Sequence, residues 1–338
     1  MSRDLHHQER IPRHDPDVET VVSGIMSGNR QMLSRAITLI ESQKPEHEAR
    51  AHEILDRCLE KKTASLRIGI TGSPGAGKST FIEAFGEEIL NSGLTLAVLA
   101  IDPSSRQSKG SILGDKARME RLSGRKEAFI RPTASSGYLG GTSPKTHETI
   151  LLCEAAGYDV ILVETVGVGQ SEVLIDSMVD FILLLMLPGS GDELQGIKRG
   201  IMEIADSVVI TKADGDQSAI AALSKAEFEA ALMMLPKKHP FWHRNVYLTS
   251  ALHHTGINDV WQNILEFFTQ MREEARLEQR RSQQLKQLLY TVLEERLKKE
   301  FFSNPRVIQA KAIIEQQVVE ARLSPFSGAK TLMETFRK

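Results

Sequence analysis

The sequence predicts an α/β fold: a mainly parallel sheet flanked by helices, with helical extensions at the N- and C-terminal ends. Short apolar runs alternate with helical patterns through the middle of the chain, and one such run passes through a glycine-rich turn straight into a helix. Strands alternating with helices imply right-handed crossovers, and so parallel strands covered on both faces. Ligands of such sheets sit at the carboxyl ends of the strands.

Element by element, Asp17 to Lys62 reads as a lead-in of two or three helices, with Val21, Val22, Ile25 and Met26, then Leu33, Ala36, Ile37 and Ile40, at three- and four-residue spacing. Leu66 to Thr71 is the first strand, Gly72 to Gly77 the turn, and Ser79 to Asn91 a helix. Further strands are expected at Thr95 to Asp102, Ala128 to Arg131, Val160 to Glu164, Phe181 to Leu187, Ser207 to Thr211 and Asn245 to Thr249. Beyond His253 the chain is helical and strongly charged, and Leu285, Leu288, Leu289, Val292 and Leu293 form a stripe that needs cover from its own domain or from a second copy. The expected organisation is an N-terminal helical extension (1–62), a central domain (63–268) and a C-terminal helical arm (269–338).

Composition narrows the classes. At 338 residues with 41% apolar and 25% charged residues, the chain fits one large soluble domain with helical additions. A formal net charge of −2 gives no global basic field, so nucleic acid is not an expected partner. The longest apolar runs are about half of the roughly 20 residues a membrane helix needs. Cys58 and Cys153 stand alone, which indicates neither a disulfide framework nor a thiolate metal site and fits a reducing, cytoplasmic compartment.

The turn itself carries chemistry. Gly72-Ser73-Pro74-Gly75-Ala76-Gly77-Lys78-Ser79-Thr80 fits G-x-x-x-x-G-K-[ST], placed directly after a strand and before a helix. Glycines there let successive N–H groups converge on a phosphate, and the helix adds the positive end of its dipole. Lys78 is placed for the β- and γ-phosphates, the Ser79 hydroxyl for Mg²⁺, and Thr80 for the α-phosphate. The fold class sharpens to a P-loop NTPase.

The base is read from a second loop. Guanine presents an N1–H and an amine on one edge, which a carboxylate accepts together. Thr211-Lys212-Ala213-Asp214 follows an apolar run and supplies that carboxylate in Asp214, with the stem of Lys212 to cover the base. It resembles the GTPase motif Asn-Lys-x-Asp with Thr211 in place of Asn, which weakens the side-chain brace. Ser250-Ala251-Leu252, after another expected strand, matches the position of a further base contact; no third ligand accompanies His253 and His254.

Glu164-Thr165-Val166-Gly167 stands where GTPases carry Asp-x-x-Gly. An acid at that strand end can hold Mg²⁺, and the Gly167 amide can sense a γ-phosphate. Asp102 and Asp115 are further acids, so the expected magnesium shell is Ser79, Asp102, Asp115 and Glu164, and the catalytic candidates are Lys78, Asp115 and Glu164. Val168 occupies the position where Ras-like enzymes carry a water-positioning Gln, with Gln170 close but displaced. Slow intrinsic hydrolysis, stimulated by a partner, is expected.

Together with Asp102-Pro103-Ser104-Ser105, Leu113-Gly114-Asp115-Lys116, Glu164 to Glu172, Pro188 to Gln195 and Gly200 to Asp206, these segments resemble the MeaB/ArgK family of GTPase chaperones over most of the chain. The resemblance implies a homodimer joined through C-terminal helices and association with methylmalonyl-CoA mutase, whose cobalamin loading is gated and which is protected or reactivated. It also implies a switch in the stretch from Pro188 to Lys198, including Asp192, Glu193 and Lys198. Two rival readings remain: a P-loop kinase acting on a small molecule or protein, a label carried by relatives of this family, and a metal-inserting GTPase.

Overall fold

The computed structural model describes residues 16–42, 44–61, 64–102, 119–134, 144–165, 175–190 and 199–337. Among them seven strands form one sheet: β1 (Leu66–Gly72), β2 (Leu96–Asp102), β3 (Ala128–Ala134), β4 (Val160–Glu164), β5 (Phe181–Met186), β6 (Ser207–Ile210) and β7 (Asn245–Leu248). Their order is β3-β2-β4-β1-β5-β6-β7, and every pairing is parallel. Each expected strand is present; the differences are at the ends. β3 runs three residues beyond Arg131, paired with β2 from Leu96↔Ala128 to Asp102↔Ala134. Pro132 is tolerated there because an edge strand pairs along one side only.

The helices of the first part are α1 (Val18–Met26), α2 (Arg30–Glu41), α3 (Pro45–Cys58), α4 (Lys78–Asn91), α5 (Glu120–Ser123), α6 (Pro144–Ala155), α7 (Arg199–Ile204), α8 (Ser218–Met234) and α9 (Ile257–Arg272). The lead-in resolves into three helices because each start is marked. Asp17 accepts from Thr20 N at 2.7 Å, Asn29 accepts from Gln31 N and Met32 N, and Pro45 opens α3 where its missing N–H costs nothing.

Alternation along the strands feeds two faces. Ile68, Val160 and Leu162 point to a core with Phe81 and Phe85 of α4 and Trp261 and Phe267 of α9. Ile161 and Val163, with Ala97, Leu99 and Phe129, point the other way, to a core built with Val21, Leu33, Ile37 and Ile54 of α1–α3 and with α6. Beneath β5–β7, Met202 of α7 and Phe228 of α8 close a third cluster. Polar ties fix the N-terminal helices: Lys145 Nζ donates to the carbonyls of Glu41 (2.9 Å) and Ser42 (3.1 Å), and Arg131 Nη2 pairs with Glu41 at 2.5 Å.

One buried ion pair crosses from β1 to α6. Arg67 donates to both carboxylate oxygens of Glu154, Nε at 2.8 Å and Nη2 at 2.6 Å, and the Ser65 hydroxyl adds a third donor to Glu154. Nearby, burial and then the Arg67 cation lower the His147 imidazole to a pKa of about 4, so it packs neutral. Cys58 and Cys153 are free and buried, and burial pushes both thiols up.

By packing, the chain divides into two compact units, residues 1–277 and 278–338. The second contains most of α10 (Arg276–Ser303), followed by α11 (Pro305–Val319) and α12 (Pro325–Arg337). Within it Gly328 lets α12 lie against Ile314 and Val318, where an added Cβ would stand 3.1 Å from each, and Phe301 meets Phe336 at 5.2 Å between ring centroids. On α10 Leu285, Leu289, Leu293 and Leu297 recur every fourth residue and are all exposed. No helix among the described residues is long and apolar enough to cross a membrane.

The Arg67–Glu154 pair gives a stability prediction. Both side chains are 9% exposed, so Glu154→Ala leaves a buried guanidinium without its counter-ion. Urea unfolding of that variant is expected to show a loss of about 3–5 kcal/mol.

Candidate nucleotide site

β1 is buried along its whole length and flanked by β4 and β5, so the loop leaving it emerges at the centre of the carboxyl edge. Gly72 ends the strand at φ 152°, where an added Cβ would lie 2.2 Å from the Leu185 carbonyl oxygen of β5. Gly77 stands at the N-cap of α4 in the left-handed region, φ 77°, which is why a side chain is disfavoured there. Between them Ser73 and Ala76 are buried while Pro74 and Gly75 are exposed. Lys78 opens α4 and curls back over the loop, its Nζ donating to Gly72 O at 2.9 Å and Ser73 O at 3.2 Å. Ser79 follows in the first turn of α4, and Thr80 is exposed beside it.

The acid at the end of β4 meets this loop. Glu164 lies in register with Ile70 of β1 on one side and Ala100 of β2 on the other. Its Oε1 accepts from the Ser79 hydroxyl at 3.5 Å. Asp102 is two residues beyond Ala100, at the end of the adjacent β2, so the backbone places it at the same edge. A hydroxyl and a carboxylate at the mouth of a phosphate loop are hard oxygen donors, the set that suits Mg²⁺. Among the described residues no cluster of three or more His, Cys, Asp or Glu forms an all-protein metal cage.

The second loop arrives from β6. Thr211 N donates to Met186 O (2.9 Å) and Ala213 N to Thr249 O (3.0 Å), which fastens the segment between the exits of β5 and β7. Lys212 takes φ 55° and extends its Nζ to Gly75 O at 3.1 Å, laying its stem over the phosphate loop. The Thr211 hydroxyl donates to Ala76 O at 2.7 Å. Asp214 is oriented by Ser250, whose hydroxyl donates to Oδ2 and whose oxygen in turn accepts from His253 N at 3.2 Å. A single bridge between Ser250 and Thr255 closes the turn that holds Ser250 in place. Ala251 is half-buried in that turn and Leu252 is 77% exposed.

The structure therefore brings together Gly72 to Thr80, Glu164, Lys212, Asp214 and the Ser250 turn. Asp115, Gly167, Gln170, Asp192, Glu193 and Lys198 lie outside the described residues, as does Val168. The stretch from Pro188 can be followed to Ser190: Gly189 N donates to Ser224 Oγ of α8 at 2.9 Å. Two contributions were not read from the sequence. Ser250 as the orienter of Asp214 depends on a pairing between loops 36 residues apart, and the reach of Thr211 to Ala76 spans 135 residues. Asp206, part of one resemblance segment, is fully buried, accepting from Ile182 N at 2.9 Å and Lys238 Nζ at 2.8 Å, and acts as an internal fastener of the sheet.

Comparison with known proteins agrees with this geometry. Residues 33–306 match the family model described as "Methylmalonyl Co-A mutase-associated GTPase MeaB". The chain is 45% identical over 310 residues to the "GTPase ArgK" of Escherichia coli, covering 92% of this chain and 94% of that one. It is 42% identical over 330 residues to the mouse "Methylmalonic aciduria type A homolog, mitochondrial", covering 95% of this chain and 80% of the mouse protein. A crystal structure described as "LAO/AO transport system kinase" superposes with a TM-score of 0.76 at 38% identity, covering 95% of this chain and 98% of that one. With its parallel sheet, its phosphate loop and these near full-length matches, the chain belongs to the MeaB family and is a GTPase.

Proposed function

We propose that this GTPase is a chaperone of methylmalonyl-CoA mutase that binds GTP with Mg²⁺, gates loading of the mutase's cobalamin, and protects or reactivates it. The observation that carries the nucleotide part is the convergence, at one sheet edge, of the phosphate loop, the Glu164 carboxylate and an Asp214 held in orientation by Ser250. Asp214 accepts from the guanine N1–H and amine, and the Lys212 stem lies along the base. The Ser250 hydroxyl is already committed as a donor to Asp214, so it acts by fixing that carboxylate. The turn Ser250-Ala251-Leu252 then borders the base.

Phosphate is held by backbone N–H groups of Gly72 to Gly77 and by Lys78, whose ammonium exchanges its contacts with the Gly72 and Ser73 carbonyls for phosphate oxygens. Ser79 and Glu164 fit Mg²⁺, with Asp102 and Asp115 as further acids of the shell. Bound there, the ion neutralises charge on the β- and γ-phosphates. Hydrolysis moves the γ-phosphoryl group to water, and the residues of this chain position it and offset its charge rather than bond to it. With Val168 where Ras-like enzymes have a Gln, turnover of the isolated protein is slow, and the partner supplies the missing order around the water through the Gly167, Gln170 and Asp192-Glu193 to Lys198 segments.

The exposed leucine row on α10 supports a homodimer joined through the C-terminal helices, since four exposed leucines on one helix stripe call for an apolar partner. The working division is an N-terminal extension (1–62), the GTPase domain (63–268) and the dimerisation arm (269–338). We place the protein in the cytoplasm.

Two measurements test the reading. Asp214→Asn keeps an acceptor for the N1–H but turns the contact to the amine into a donor, so GTP affinity is expected to fall about a hundredfold while xanthosine triphosphate, which carries an oxygen in place of the amine, gains. An unchanged preference for guanine would remove Asp214 from the base site. Phosphate release from GTP, followed with and without purified methylmalonyl-CoA mutase, is expected to be slow alone and to rise when the mutase is added. Absence of both a complex and a rate change would end the chaperone reading.

A further inference from the structure

Two consecutive residues, Thr211 and Lys212, tie the loop leaving β6 to the phosphate loop. The Thr211 side chain is buried, with the residue 5% exposed, and its hydroxyl oxygen lies 2.7 Å from Ala76 O and 3.2 Å from Met186 O at the end of β5. Lys212 adds the exposed contact from Nζ to Gly75 O at 3.1 Å. A threonine hydroxyl has one proton, and both neighbours are carbonyl oxygens that can only accept. Ala76 O is the nearer of the two by half an ångström, 2.7 Å against 3.2 Å, so the one proton is directed to Ala76. An asparagine amide at this position carries two N–H donors and can serve both carbonyls at once. The solvent-exposed lysine contact is the weaker of the two ties, because water competes for its ammonium.

We propose that Thr211 is a positioning residue that sets how long a bound nucleotide is held, by tying the base loop to the phosphate loop through a single hydroxyl proton. This rests on the reading of residues 211–214 as the base loop. A nucleotide spans both loops, so its release requires them to part. A tie that exists before binding keeps the two in register and slows that step. One proton gives a looser tie than an amide, and so a faster exchange of GDP for GTP. A chaperone whose nucleotide state reports to a partner gains from that.

The test uses the full chain loaded with N-methylanthraniloyl-GDP and chased with excess GDP, reading the dissociation rate. Thr211→Val, which keeps the shape and loses the proton, is expected to release about three- to tenfold faster, the span of one net hydrogen bond. Thr211→Asn is expected to release about threefold slower, and Thr211→Ser to restore release to within about twofold of the parent. A purely structural role for the residue would shift the valine and asparagine variants in the same direction. That result, a valine variant with the parent rate, or a serine variant that tracks valine would each overturn the proposal. Should the valine variant fail to fold, the slower release of the asparagine variant decides the matter. Asp214→Asn run in parallel separates the two readings. A base preference that changes with Asp214→Asn while the Thr211 series stays flat defeats the tie alone; an unchanged preference defeats the base loop itself.

Discussion

The nucleotide edge depends on the burial of β1 between β4 and β5. Because all three strands are parallel and in tight register, Gly72, Glu164 and the exit of β5 must come out side by side, and the approach of Gly72 to the Leu185 carbonyl leaves no room for a side chain. The phosphate loop is thus aimed by the strand pairing beneath it. Its helix is held from below by Phe81 and Phe85, both fully buried, so the first turn carrying Lys78 and Ser79 has a rigid base. Rigid seating of donors matters for a reaction in which the protein works mainly by position and charge.

The second loop is fixed by a different kind of interaction. Backbone bonds from Thr211 to Met186 and from Ala213 to Thr249 stitch it to its two neighbouring strands, while the side chains of Thr211 and Lys212 reach back to carbonyls of the phosphate loop. The two loops are thereby joined to one another through protein atoms. Lys212 stands at positive φ, an uncommon conformation for a residue with a long side chain, and it persists because both flanking residues are hydrogen-bonded into the sheet edge.

Much of this was legible in the sequence for definite reasons. The seven strands announce themselves as apolar runs because a doubly covered parallel sheet needs apolar residues on both faces, and Phe181 to Met186 is an unbroken example. The phosphate loop is a local motif whose geometry is contained in nine consecutive residues. Asp214 was legible as a carboxylate after a strand. Its orienter, Ser250, was not, because that role arises from a contact between two loops that only the folded sheet brings together. The reach of Thr211 was hidden likewise: sequence shows that an amide is missing, whereas the structure shows which carbonyl the hydroxyl still serves. Strand ends were read less well than strand centres, since pairing with β2, and not composition, carries β3 through Pro132 to Ala134.

The way the N-terminal helices are seated has a consequence for anyone dissecting the molecule. Their apolar side chains form the lining against Ala97, Leu99, Phe129, Ile161 and Val163, and Lys145 and Arg131 grip the end of α2 from the elements on either side of residues 135–143. A shortened protein starting at the first strand would wet the part of that face the lead-in covers, along with the side of α6 it packs on, and present both to other molecules as an adhesive surface. The lead-in is therefore better regarded as a share of the core than as an appendage, and fusions or tags belong before it rather than in its place.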